Sequence, residues 1–192
     1  MDTNLYNQAV KMLSDKRLEH TLGVRDTAMK LCDLYGGDKD KAEVSAILHD
    51  IFRGRTVDEL NELVKKYSLP DKYIGNANLA HGKLAEAYAR EEMGVLDPDI
   101  LNAISYHTTG RKEMTLLEKI VFLADAIEPG RDYPLVEKLR DVAFNESLDR
   151  ACLMTLDGTI KHLINQGIKR EDIDIDTLEA YEYFLTKEKE TK

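Results

Sequence analysis

The chain has 192 residues and a formal net charge of -9, from 36 acidic against 27 basic side chains. That length suits one globular domain with a sizeable core, and the acidic balance argues against broad binding to nucleic acid polymers or to an anionic membrane surface. No apolar stretch approaches the ~20 residues of a membrane span, the start Met1-Asp2-Thr3-Asn4 has no signal-peptide pattern, and Cys32 and Cys152 have no metal or redox spacing. A reduced, cytoplasmic protein is the expectation.

Apolar residues recur at helical rather than alternating spacing almost throughout, so the expected class is all-α, a helical bundle. Leu5, Ala9, Met12 and Leu13 mark a first short helix. A second begins near Asp15, turns Leu18, Leu22, Val24, Ala28 and Leu31 inward and stops at Gly36-Gly37, where glycine accepts the left-handed conformation of a helix end. Asp38 caps a third, expected to run to about Phe52, and Thr56 with Glu59 forms a capping box for a fourth, closed by Leu69-Pro70. Further helices are expected from about Asn78 to Met93, Pro98 to Tyr106, Thr115 to Ile127, Leu135 to Phe144, Ser147 to Asn165 and Asp176 to Lys189. Thr186 to Lys192 reads as a frayed charged end. Neither a repeat nor a linker breaks the pattern, so residues 1–192 are expected to form a single domain. Within it, residues 15–135 carry the chemistry and helices of 135–190 complete the bundle. Leu153, Leu156, Ile160 and Leu163 form a late apolar stripe that suits either core or a homodimer face.

His20, His49, His81 and His107 fall on four different expected helices or helix ends, and Asp50 follows His49 directly. Any one of them alone reads as a packed core histidine, and His162, without an acidic neighbour, stays in that class. Asp50 and Asp125 are single acids in apolar helical strings, where an ionised carboxylate must be paired, hydrogen-bonded or metal-bound. Together the four His and two Asp supply an N/O ligand set that suits Zn, Fe, Mn or Ni. Adjacent positions lie about 100° apart on a helix, so His49 and Asp50 can face one cavity and the carboxylate can bridge two ions.

The ordered strings His20-Thr-Leu-Gly-Val24, Leu48-His-Asp-Ile-Phe-Arg53, Ala80-His-Gly-Lys83, Tyr106-His-Thr-Thr-Gly-Arg111 and Leu123-Ala-Asp-Ala-Ile-Glu-Pro-Gly-Arg131 resemble the HD-domain metal-dependent phosphohydrolases. More closely, they resemble the YqeK-type symmetrical dinucleoside tetraphosphate hydrolases. The resemblance covers roughly residues 15–135 and implies an HD-domain bundle with a dinuclear metal site in its core. One ion would sit on His20, His49, Asp50 and Asp125, the second on His81, His107 and the other oxygen of Asp50. Iron is the metal it suggests, and the same donors accept Mn, Co or Zn. The implied reaction is attack of a metal-bridging hydroxide on diadenosine tetraphosphate, giving two ADP.

Cationic residues close to the ligands are the expected phosphate contacts. Arg131 follows Asp125 on a turn stiffened by Pro129, Arg111 follows His107, Lys83 follows His81, and Arg53 lies one helical turn past His49. Asp50, Arg53 and Arg131 are the expected catalytic group, with Lys83, Thr108, Arg111 and Arg131 binding substrate. Arg53 stands where many HD proteins carry Lys; it keeps the charge and adds a bidentate fork. Tyr73, Tyr88, Tyr106 and Tyr133 are candidates for base stacking or for packing. The same donors also suit another HD-domain nucleotidase or phosphodiesterase, a di-iron oxygenase, or a non-catalytic nucleotide binder.

Overall fold

Most helix starts are written in the sequence as polar caps, and the structure uses them. The computed structural model describes residues 1–190, as helices and connecting turns with no strand among the described residues. The helices are α1 (Thr3–Val10), α2 (Asp15–Tyr35), α3 (Lys39–Leu48), α4 (Val57–Lys66), α5 (Ala77–Glu91), α6 (Pro98–Ser105), α7 (Leu116–Ile127), α8 (Val136–Asn145), α9 (Leu148–Asn165) and α10 (Ile175–Glu190). The side chains of Ser14, Asp38, Thr56, Asp97, Thr115 and Ser147 each accept a backbone N–H at a helix start. Each such cap contributes about 1 kcal/mol. Gly36, at φ 75°, ends α2.

Helix α7 is the spine. Its Ile120, Val121, Leu123 and Ala124 are fully buried, and it lies against α2, α3, α6, α8 and α9. That placement puts Asp125, on the last turn of α7, beside His20 of α2 and the end of α3. Helix α5 packs on α6, which brings His81 and His107 together, and α10 packs on α9. Among the described residues, no helix is long and apolar enough to cross a membrane.

The structure departs from the expected elements at particular points. Helix α3 stops at Leu48, so His49 is its C-cap and Asp50 heads a run of turns rather than a helical turn. There the Ile51 N–H bonds to Leu48 O at 3.4 Å and the Arg53 N–H to Asp50 O at 2.8 Å, three-residue spacings that replace the helical ladder. Ile51 and Phe52 are nevertheless buried, which is why the apolar pattern reads as continuing helix. Met12 and Leu13 lie in the turn after α1. Helix α10 runs on to Glu190, and Lys187 reaches Asp149 at 3.0 Å, so 186–190 are helical rather than frayed; the expectation for 191–192 lies outside the described residues. Two short 3-10 turns, Asp71–Tyr73 and Arg170–Asp172, have no periodicity to announce them. His162 is exposed near the end of α9 rather than packed in the core.

Candidate metal centre

Four imidazoles from four parts of the chain converge on two carboxylates. Asp50 Oδ2 lies 3.6 Å from His20 Nε2 and 3.5 Å from His49 Nε2, while Asp50 Oδ1 lies 3.2 Å from His81 Nε2 and 3.6 Å from His107 Nε2. Asp125 Oδ1 closes the first group, 3.1 Å from His20 Nε2 and 3.9 Å from His49 Nε2. The Asp50 carboxylate therefore stands between two donor groups, one oxygen to each. His49, Asp50, His81 and His107 are buried, and Asp125 is partly open to solvent.

The hydrogen bonds of the far ring nitrogens explain the orientation. His49 Nδ1 faces Ala46 O at 2.6 Å, His107 Nδ1 faces Ile104 O at 2.7 Å, and His20 Nδ1 faces Glu128 Oε1 at 3.0 Å. Each of those oxygens only accepts, so each Nδ1 carries the proton and each Nε2 presents a lone pair inward. His81 Nδ1 has Ala77 O at 3.2 Å, and its Nε2 meets His107 Nε2 at 3.0 Å. His20 Nε2 and His49 Nε2 are buried with no hydrogen-bond partner. Lone pairs aimed at carboxylate oxygens are an arrangement that asks for cations, and inward N and O donors with outward Nδ1–H anchors are the usual design of a metal site. These residues fit metal ions.

Electrostatics agree. Burial pushes the His49 pKa down to about 4 and also lowers His81, keeping both as neutral ligands. Burial opposes ionisation of Asp50, but His49, His107 and His81 outweigh it and hold the carboxyl well below its ordinary range. Asp125 is lowered as well: His20, His49 and Arg131 overcome its desolvation. His107 is raised, because contact with Asp50 prevails over its burial. A spot that draws a proton there draws a cation for the same reason.

A cavity of about 390 Å³ opens on this cluster. Arg17, Arg53, Arg131 and Thr108 line it beside Asp50, His81 and Asp125, and Leu79, Leu163, Ile168 and Ile173 give it an apolar component. Arg131 Nε donates to Asp125 O at 2.7 Å and its terminal nitrogen reaches the Asp125 carboxylate. Arg53 donates to Asn78 Oδ1 at 2.8 Å and leans on His81 Nδ1 at 3.4 Å. The Thr108 hydroxyl lies 3.1 Å from His107 Nε2 and 3.3 Å from His81 Nε2.

Not every expected contact is brought to that cavity. Arg111 forks onto buried Glu118, at 2.5 and 2.9 Å, and lies over Tyr106. Lys83 is buried with its ammonium 3.3 Å above the Tyr106 ring and 4.0 Å from Asp176, where burial pushes its pKa down to about 8. None of Tyr73, Tyr88, Tyr106 and Tyr133 lines the cavity. Of the late apolar stripe, Leu156 and Ile160 are core, while Leu163 belongs to the cavity wall. Two residues were missed. Arg17 donates to Asp50 Oδ2 at 2.8 Å, and Glu128 anchors His20. Arg17 lies one helical turn before His20 on α2 and Glu128 is the C-cap of α7, three residues after Asp125, but their partners lie far off in sequence and no local signal names them.

The helical bundle and its His/Asp cluster, whose donors fit metal ions, define a protein of the HD type. The HD domain family matches residues 17–130. The symmetrical bis(5'-nucleosyl)-tetraphosphatase of Halalkalibacterium halodurans is 43% identical over 92% of this chain and 93% of its own, and that of Staphylococcus aureus is 38% identical over 91% of each. A crystal structure from Clostridium acetobutylicum, described as a predicted HD superfamily hydrolase involved in NAD metabolism, superposes with a TM-score of 0.87 at 37% identity, covering 96% of both chains. The chain belongs to the HD-domain superfamily and, within it, to the YqeK-type symmetrical bis(5'-nucleosyl)-tetraphosphatase family.

Proposed function

We propose that this protein is a metal-dependent hydrolase that cleaves diadenosine tetraphosphate symmetrically into two ADP. The observation that carries the reading is the Asp50 carboxylate, shared between two histidine pairs in a cavity lined by three arginines. Kinship with the tetraphosphatases supplies the substrate class. His20, His49, Asp50 and Asp125 would hold one ion, and His81, His107 and the second oxygen of Asp50 the other. Iron is our first choice and Mn, Co or Zn are compatible, because all accept mixed imidazole and carboxylate donors. Bound there, the ions supply a water acidified toward neutral pH and positive charge beside the phosphoryl group.

The remaining work falls to the chain. Arg131, Arg17 and Arg53 bind and orient the phosphates and offset charge that grows on the departing nucleoside diphosphate. That leaving group is stabilised by charge alone, so Arg53, a poor proton donor, need not protonate it. Thr108 is placed to donate a hydroxyl to a phosphate oxygen. The apolar walls at Leu163, Ile168 and Ile173 suit a nucleoside. The net charge of -9 is thereby no obstacle: arginines and ions make the site locally positive in an acidic protein.

The test is product analysis of diadenosine tetraphosphate hydrolysis with Fe, Mn, Co or Zn added in turn. The expected outcome is ADP as sole nucleotide product with at least one metal. ATP plus AMP, or no cleavage with any metal, contradicts the reading.

A further inference from the structure

The two donor groups are not equivalent, and the difference lies outside the ligands themselves. Among the four histidines, His20 is held through Nδ1 by a carboxylate, Glu128 Oε1 at 3.0 Å, whereas His49 and His107 are held by backbone carbonyls. His81 Nδ1 has the Ala77 carbonyl at 3.2 Å and the Arg53 guanidinium at 3.4 Å. Glu128 is 4% exposed, and its other oxygen accepts the Gly130 N–H at 2.5 Å. The backbone is shaped to admit it. A Cβ on Gly23 would come within 2.8 Å of Glu128 Oε2, and one on Gly130 within 3.0 Å. Arg140 then fixes the segment by donating to Ile127 O at 2.9 Å, Glu128 O at 2.7 Å and Arg131 O at 2.9 Å.

We infer that Glu128 is a positioning residue that makes the His20, His49, Asp50 and Asp125 position the tighter and first-loaded of the two metal positions. A carboxylate behind a ligating imidazole fixes its tautomer and raises its basicity, and loss of such a partner typically costs about 10- to 100-fold in metal affinity. The first position also draws on two ligand carboxylates. The second has only its share of Asp50; guanidinium groups stand beside both, Arg17 and Arg131 at the first and Arg53 at the second, so the carboxylates set the difference. The inference rests on the two-ion reading above.

The experiment is a titration of metal-stripped protein with Mn²⁺, followed by calorimetry and by competition with a chelator. Wild type, Glu128→Gln and Gly23→Ala are compared, with circular dichroism to establish that each is folded. Gln keeps the shape of Glu128 and lacks its charge. The Gly23→Ala methyl pushes the same carboxylate aside from a helix that otherwise favours alanine. Wild type is expected to bind two ions in resolved steps. Both variants are expected to lose about 10- to 100-fold in the first step only. Two equal wild-type steps, or variants that shift both steps alike or neither, overturn the role given to Glu128. One ion per wild-type chain overturns the two-ion reading itself, and the inference with it.

Discussion

Two segments of this chain run from a residue of the His/Asp cluster into a glycine and an arginine: His107-Thr-Thr-Gly-Arg111 after α6, and Asp125-Ala-Ile-Glu-Pro-Gly-Arg131 at the end of α7. They finish in opposite places. Arg131 folds back on its own helix end, donates to the Asp125 carbonyl and meets its carboxylate at the cavity wall. Arg111 leaves through left-handed Gly110, at φ 62°, and closes a fork on Glu118. Glu118 is 1% exposed and also receives the Thr115 N–H at 2.7 Å as part of the α7 capping box. A Gly-Arg pair thus predicts a turn and a cation. Where the cation goes is decided by the buried carboxylate that most needs a partner, since an uncompensated buried charge costs several kcal/mol.

One substitution at each arginine separates the two roles. Arg131→Ala is expected to lower kcat by roughly 100- to 1000-fold, the scale of losing a cation that stabilises a phosphoryl-transfer transition state, while bound metal is kept. Steady-state kinetics with metal analysis checks it, and a kcat like wild type removes Arg131 from the phosphate contacts. Arg111→Ala is expected to do the reverse. It strands Glu118 without its fork, costing about 2–3 kcal/mol. A Tm loss of roughly 4–12 °C follows for a chain of this size. Its kcat should stay within about a factor of three, a barrier change under ~0.7 kcal/mol. A large kcat loss at unchanged Tm would place Arg111 at the substrate instead.

Local rules served the sequence well where one residue decides the outcome. Thr56 with Glu59 and Thr115 with Glu118 make the capping boxes that set the starts of α4 and α7, and Gly36 ends α2. The six residues of the His/Asp cluster stand out because His and Asp are conspicuous among apolar neighbours. What stayed hidden depends on partners distant in sequence. The end of α3 is masked because Ile51 and Phe52 are buried whether or not the backbone is helical. Lys83 reads as a phosphate contact from its place after His81, and only the fold sets its ammonium over the Tyr106 ring and 4.0 Å from Asp176 of α10. Arg17 sits in a string, Asp15-Lys16-Arg17, that reads as a solvated helix start, and only the fold points it at Asp50. Glu128 is in the same position: nothing near it in the chain announces that His20, 108 residues earlier, is its partner.

In the proposed function one carboxylate, Asp50, joins two cation positions into a single hydrolytic site. Its most direct test is metal content and ADP formation measured on the same preparations of wild type and Asp50→Ala, with helicity followed by circular dichroism. Two ions per wild-type chain are expected. The variant should keep its helices, lose bound metal and turn over at less than about one-thousandth of the wild-type rate, the range set by removing charge stabilisation from phosphoryl transfer. An Asp50→Ala protein that retains both ions and hydrolyses diadenosine tetraphosphate at the wild-type rate would contradict it.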